Sequence, residues 1–389
     1  MIFDLDAVVS EAREKEQLDD FGPLPFEEPL GVLLDSYQDA GLSDVGAFIL
    51  RGGVVHSLRM RLRAQEWVRR HPEIADEVIE SPIVVVGMMR SGTTLVQRLL
   101  AADARLSCAY GWEVQRVAPR LDWDATQEDP RIARALERQE QTREHAADLF
   151  AIHPMYALEA EEEIVFLADA FLSHVPESGA DVRAYREWLD TADFAPAYDH
   201  LHRMLQLLQW QKRQRGQTGE RWVLKTPAHL GYLDDLRRTF PDLHVVHLHR
   251  DPLETIPSGA SLNSTLHAMH ADTVDTHRIG REWLARMGWT NDRAMATRDR
   301  WDSAEPAGGL VTDLQFEDAV SDPIGSMSTV YGATGMNLTA EAEMSMRDWL
   351  ERRPRETGRP DYAPETYGLD EAMIRERFAE YETRFRGRA

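Results

Sequence analysis

The segment from Glu80 to Asp103, ESPIVVVGMMRSGTTLVQRLLAAD, constrains this chain more than any other. A β-branched run ends at Gly87, a loop follows to Gly92, and apolar positions then recur at helical spacing from two threonines onward, which predicts strand, loop and helix. The loop Gly87-Met88-Met89-Arg90-Ser91-Gly92-Thr93-Thr94 has the two-glycine spacing of a phosphate-cradling P-loop, set between strand and helix as that mechanism requires. It lacks one residue. Where a nucleoside triphosphate loop carries Lys to reach the β- and γ-phosphates stands Thr93, and the cation is Arg90, inside the loop. Backbone N–H groups, the helix dipole and the Thr93 and Thr94 hydroxyls suit a single phosphate, or a phosphate bearing one further small anionic group.

Strands return at ERWVLKTP, DLHVVHLHRDP and GGLVTDLQFEDAV, separated by helical stretches that suit right-handed crossovers. The expected fold class is therefore α/β, a P-loop NTPase-like three-layer arrangement of a parallel sheet between helices. Residues 1–80 read as acidic helices, an N-terminal helical extension to a domain over 81–389. Residues of about 115–215 are helical in period and form a helical insertion. Arg250 leaves a buried strand at its carboxyl end and Ser258 follows on the next helix. Ligands of open parallel sheets bind at that edge, and a guanidinium with a hydroxyl suits a terminal phosphate monoester.

Composition narrows the partners. The chain has 389 residues and a formal charge of -23, so its surface as a whole repels nucleic acid and anionic membrane, and a polyanionic ligand needs a local basic pocket. No apolar run is long enough for an integral membrane segment, and the acidic start lacks a signal peptide, so a cytoplasmic location is expected. The single cysteine, Cys108, sits on no metal spacing. Of 44 basic residues only Lys15, Lys212 and Lys225 are lysines. Each is therefore a candidate for a task that needs a compact point charge.

Four segments resemble the sulfotransferases that use 3′-phosphoadenosine 5′-phosphosulfate (PAPS). GMMRSGTTLVQRLL is similar to their 5′-phosphosulfate loop in the Arg-bearing form of protein-tyrosine sulfotransferases and many bacterial members. HLHRDPLETIPS resembles the 3′-phosphate motif, with Arg250 and Ser258 on the contact positions. VLKTPAHLGYLDDLRRTFPDLHVVHLHRDP is similar to the bacterial pattern, and TDLQFEDAVSDP resembles the late strand and acidic turn, with Phe316 where Tyr is usual. The resemblance implies PAPS as co-substrate and adenosine 3′,5′-bisphosphate as product, with no metal required and a hydroxyl-bearing small molecule, lipid or carbohydrate as acceptor. It implies donor binding by Arg90, Ser91, Gly92, Thr93, Thr94, Arg250 and Ser258, with Arg90 and Lys225 acting on the leaving group.

For the base, Glu113 in AYGWEVQRVAPR resembles the carboxylate used by tyrosyl-protein sulfotransferases, and His153 is the rival, as in cytosolic members. Glu159, Glu161, Glu162 and Glu163 read as a solvated first turn of a helix, and His267, His270 and Asp272 show no recognisable metal arrangement. Arg352, Arg353, Arg355 and Arg359 form either a basic lid or a solvated loop. Two other readings stay open, a P-loop small-molecule kinase or NTPase and a catalytically inactive nucleotide-binding regulator. Acceptor identity and oligomeric state are not encoded in any motif.

Overall fold

The computed structural model describes residues 2–152, 154–217, 219–304, 309–353 and 362–387. Five strands, Ile83–Gly87 (β1), Leu106–Ser107 (β2), Arg221–Lys225 (β3), His244–His249 (β4) and Val311–Gln315 (β5), form one sheet in the order β2-β3-β1-β4-β5. All pairings are parallel. The four strands expected from the sequence are present. The fifth, β2, is two residues long and carries no periodic signal.

Period-two alternation sorts β1 between two cores. Ile83 and Val85 pack with Val96, Leu99 and Leu100 of the helix Thr93–Ala101 (α4) on one face, while Val84 and Val86 join the larger core on the other. Both faces of β1 are buried, as a sheet sandwiched between helices demands. Strand order reverses around β1, so the ends of β3, β1 and β4 lie side by side. Val85 is in register with Lys225 and Gly87 with Leu248. Three motifs far apart in the chain thus open onto one edge.

The N-terminal helices Leu5–Glu16 (α1), Glu27–Gln38 (α2) and Asp44–Arg70 (α3) share the larger core, from Val8, Leu30 and Leu58 through Leu201 to Phe378. Asp4 and Ser43 cap α1 and α3 by accepting from the N–H groups of Ala7 and Gly46. The α3 cap also fixes its docking, because Ser43 N donates to the carbonyl of His270 at the end of the helix Pro252–His270. A side chain at Gly46 would collide with that carbonyl, 2.0 Å from a Cβ. Among the described residues no helix is long and apolar enough to cross a membrane.

One buried charge makes stability pH-dependent. Asp169 is 2 % exposed, Oδ1 has no hydrogen-bond partner, and burial raises its carboxyl from 3.8 to about 7. The folded state therefore holds a proton that the unfolded chain releases near pH 4, so the contribution of this group to stability is fully present below that and is lost as pH rises through about 7. Asp169→Asn is expected to flatten this slope and to stabilise the fold above pH 7 by up to about 4 kcal/mol. Urea unfolding of both proteins between pH 5 and 8 measures it; parallel profiles contradict it.

Candidate active site

A cleft of about 440 Å³ opens at the carboxyl edge of the sheet, and Arg90, Gly92, Thr93, Thr94 and Arg250 line it. The loop is built for close approach. Gly92 has φ +91°, and a Cβ there would stand 2.7 Å from the Phe316 ring. Arg90 holds φ +74°, a conformation that non-glycine residues rarely adopt and that is held where the surroundings enforce it. They do so here: Arg90 Nε donates to Ser258 Oγ (3.2 Å), Nη1 donates to the carbonyl of Ile152 (3.0 Å), and its own carbonyl accepts from Arg250 Nη1 (2.7 Å). Arg250 also binds Glu254 at 2.5 Å and lies 3.9 Å over the Phe316 ring. The loop after β1 and the segment after β4 are thus joined by hydrogen bonds between Arg90, Arg250 and Ser258.

Ser91 lies fully buried beneath the loop with its Oγ unpartnered. Lys225, 1 % exposed, donates from Nζ to Thr94 Oγ1 (3.2 Å) and to Glu162 Oε1 (2.6 Å). The lining donors, helix N-terminal amides, two hydroxyls and two guanidinium groups, fit an anion larger than one phosphate; Lys225 and Ser258 are buried and off the lining, reaching it through Thr94 and Arg90. The loop carries no lysine at the position of Thr93.

Glu113 is placed elsewhere. It is buried, both carboxylate oxygens take the Lys212 ammonium (2.7 and 2.8 Å), and Oε2 also accepts from Tyr110 N at the start of the helix Gly111–Gln115. It does not line the cleft. Two of the three lysines therefore sit in buried pairs with carboxylates. His153 lies outside the described residues, as do Arg355 and Arg359. Arg353 lines the cleft, and Arg352 is exposed. His267 and His270 bond to the carbonyls of Glu177 and Gly179. The sole thiol, Cys108, is buried and pushed up to about 12.

The glutamate run departs from its expectation as a solvated turn. Gly111 N donates to Glu159 O and Glu161 N to Ala109 O, pairing this segment against the one after β2 and drawing the run inward. Glu163 is buried and accepts from Lys225 N (3.0 Å) while sharing a 2.8 Å hydrogen bond with His229 Nε2. Glu161 faces Arg98 at 3.7 Å, and Glu159 accepts from Trp349 Nε1. Glu162 is left on the cleft wall. Arg98, also on that wall, was discoverable at one helical turn from Thr94; Glu162 was not, because its burial depends on a pairing distant in sequence.

Fold and loop together define an α/β protein with a P-loop-like strand, loop and helix that carries Thr93 where a triphosphate loop has lysine. The pattern of the sulfotransferase family matches residues 82–340, and the chain belongs to that family. It is 25% identical over 281 residues to the omega-hydroxy-beta-dihydromenaquinone-9 sulfotransferase Stf3 of Mycobacterium bovis and of Mycobacterium tuberculosis, a match over 68% of this chain and 65% of theirs. The match thus spans just under two thirds of the length of these curated relatives. The crystal structure of sulfotransferase STF1 from Mycobacterium tuberculosis H37Rv is similar with a TM-score of 0.83 and 32% identity, over 96% of this chain and 98% of that one. That of STF9 from Mycobacterium avium gives 0.86 and 26%, over 98% and 96%.

Proposed function

We propose that this chain is an enzyme that moves a sulfuryl group from PAPS to a hydroxyl of its acceptor by in-line transfer. The observation that carries the reading is the hydrogen-bonded unit of Arg90, Arg250 and Ser258 at the P-loop mouth, with Thr93 in place of the triphosphate-binding lysine. In this reading the loop amides, Gly92, Thr93 and Thr94 hold the 5′-phosphosulfate, with Ser91, expected there from the sequence, buried beneath them, and Arg250 with Ser258 holds the 3′-phosphate. PAPS supplies an activated sulfuryl group on a phosphate leaving group. The loose transition state places charge on oxygen, so fixed donors dominate catalysis. Arg90 and Lys225 are those donors. Glu113 and His153 are the proton acceptors expected from the sequence; Glu113 does not line the cleft, and His153 lies outside the described residues.

With this reading goes a bacterial, cytoplasmic enzyme without a metal requirement, acting on a hydroxyl-bearing small molecule, lipid or carbohydrate. The name of the curated relatives points to the lipid branch. Calorimetric titration in EDTA tests it. Adenosine 3′,5′-bisphosphate is expected to bind at least tenfold tighter than adenosine 5′-phosphate; magnesium-dependent ATP binding and turnover in its place would favour a kinase.

A further inference from the structure

Adjoining the donor cleft is a second, inner cavity of about 120 Å³, and Met89, Glu162 and Pro227 line both. Glu162 is the ionisable group at their junction. Its Oε1 sits 2.6 Å from the Lys225 ammonium, which reaches Thr94 of the phosphate loop, so it stands between the donor's reacting end and the inner cavity. Glu113 lines neither space.

The inner cavity has apolar walls from Ile164, Val175, Ile279 and Met287. Most of its charged residues are in ion pairs: Glu177 shares a 2.5 Å hydrogen bond with His174 and accepts from Arg286 Nε (3.1 Å), Arg286 Nη1 donates to Asp190 (2.6 Å), Arg186 pairs with Glu282 and Asp181 with Arg278, while the exposed Arg183 also lines it. On the wall residues Asn263, Trp283 and Arg286, three buried atoms (Oδ1, Nε1 and Nη2) have no partner within the fold. A cavity of about 150 Å³ accommodates benzene, so this one takes roughly five carbons. A hexose ring carries a hydroxyl on nearly every carbon, and each one left unpaired against such walls costs on the order of 1–3 kcal/mol.

We propose that Glu162 is the catalytic base and that the inner cavity receives the hydroxyl-bearing end of a slender apolar alcohol, such as the end of a lipid chain; this rests on the sulfuryl-transfer reading above. The acceptor O–H bond breaks and its proton passes to Glu162. The acceptor oxygen bonds to sulfur as the bond from sulfur to the 5′-phosphate oxygen breaks. That electron pair stays on adenosine 3′,5′-bisphosphate, where Lys225 donates a hydrogen bond. A carboxylate serves here because the proton leaves late, when the oxygen has become acidic.

The test is the rate of ³⁵S transfer from PAPS to 1-octanol, 4-nitrophenol and methyl glucoside by the wild-type enzyme and by Glu162→Gln, Glu162→Asp and Glu113→Gln, with bisphosphate affinity measured in parallel. The wild-type enzyme should favour octanol over methyl glucoside at least tenfold. Glu162→Gln should lose about 10²–10⁴-fold on octanol and far less on the acidic phenol, with bisphosphate affinity within about threefold, and Glu162→Asp should recover part of the loss. Glu113→Gln that still binds bisphosphate should keep most of its octanol rate. Full octanol activity in Glu162→Gln overturns the base, as does an equal loss on octanol and phenol. Preference for methyl glucoside, or bisphosphate binding without transfer to either non-sugar alcohol, overturns the acceptor class. Absence of both bisphosphate binding and transfer in the wild-type enzyme overturns the sulfuryl-transfer reading itself.

Discussion

Lys225→Ala is expected to lower kcat by about 10²–10³-fold while changing bisphosphate affinity little, because a donor aimed at charge that develops on the leaving oxygen acts in the transition state. Lys225 is 1 % exposed and held between Thr94 and Glu162, so its position is fixed before any substrate arrives. Removing it also takes away the ammonium that neutralises Glu162 beside an anionic co-substrate, and truncating one member of a buried pair costs about 3–5 kcal/mol of stability. Lys225→Met keeps the apolar bulk of the stem and removes only the ammonium. If it melts near the wild-type temperature, binds bisphosphate and still turns over slowly, the loss is catalytic. Lys225→Arg should restore little, since a planar guanidinium does not fit a site shaped around a point charge. Pre-steady-state turnover separates the outcomes; a Lys225→Ala enzyme with near-normal kcat contradicts the role.

The second large effect concerns nucleotide binding. Arg250→Ala should weaken adenosine 3′,5′-bisphosphate by about 1.5–3 kcal/mol, roughly ten- to a hundredfold, and Ser258→Ala by about 0.5–1.5 kcal/mol, because a charged donor is worth more than a neutral hydroxyl. Ser258→Ala should leave adenosine 5′-phosphate affinity nearly unchanged. Arg250 also props up the loop through the Arg90 carbonyl, so some of its effect will fall on the 5′ side; Ser258 touches Arg90 by its hydroxyl alone. Calorimetry on the two nucleotides reads the difference directly. Equal weakening of both nucleotides by Ser258→Ala would place Ser258 away from the 3′-phosphate.

The framework was readable because it rests on short-range signals. The run Ile83–Gly87, its glycine loop and the threonines opening α4 declare strand, turn and helix within one segment, and Arg250 declares itself by leaving a buried strand. What stayed hidden depends on pairings between distant segments. β2 is two residues that become a strand only beside Arg221 and Trp222. The glutamate run looks solvated until the antiparallel contact of Tyr110 with Ala160 carries it inside, where Glu163 meets His229 and Glu162 meets Lys225. Glu113 shows the converse. Its motif is visible in the sequence, but its partner Lys212 lies 99 residues away, and no local pattern announces that ammonium.

The most direct test of the account is transfer itself, with ³⁵S-labelled PAPS incubated with the full-length enzyme and 1-octanol in EDTA. The prediction is acceptor-dependent release of adenosine 3′,5′-bisphosphate in one-to-one proportion with a labelled sulfate ester, abolished by Arg90→Ala. Magnesium-dependent ATP consumption without any use of PAPS would contradict it.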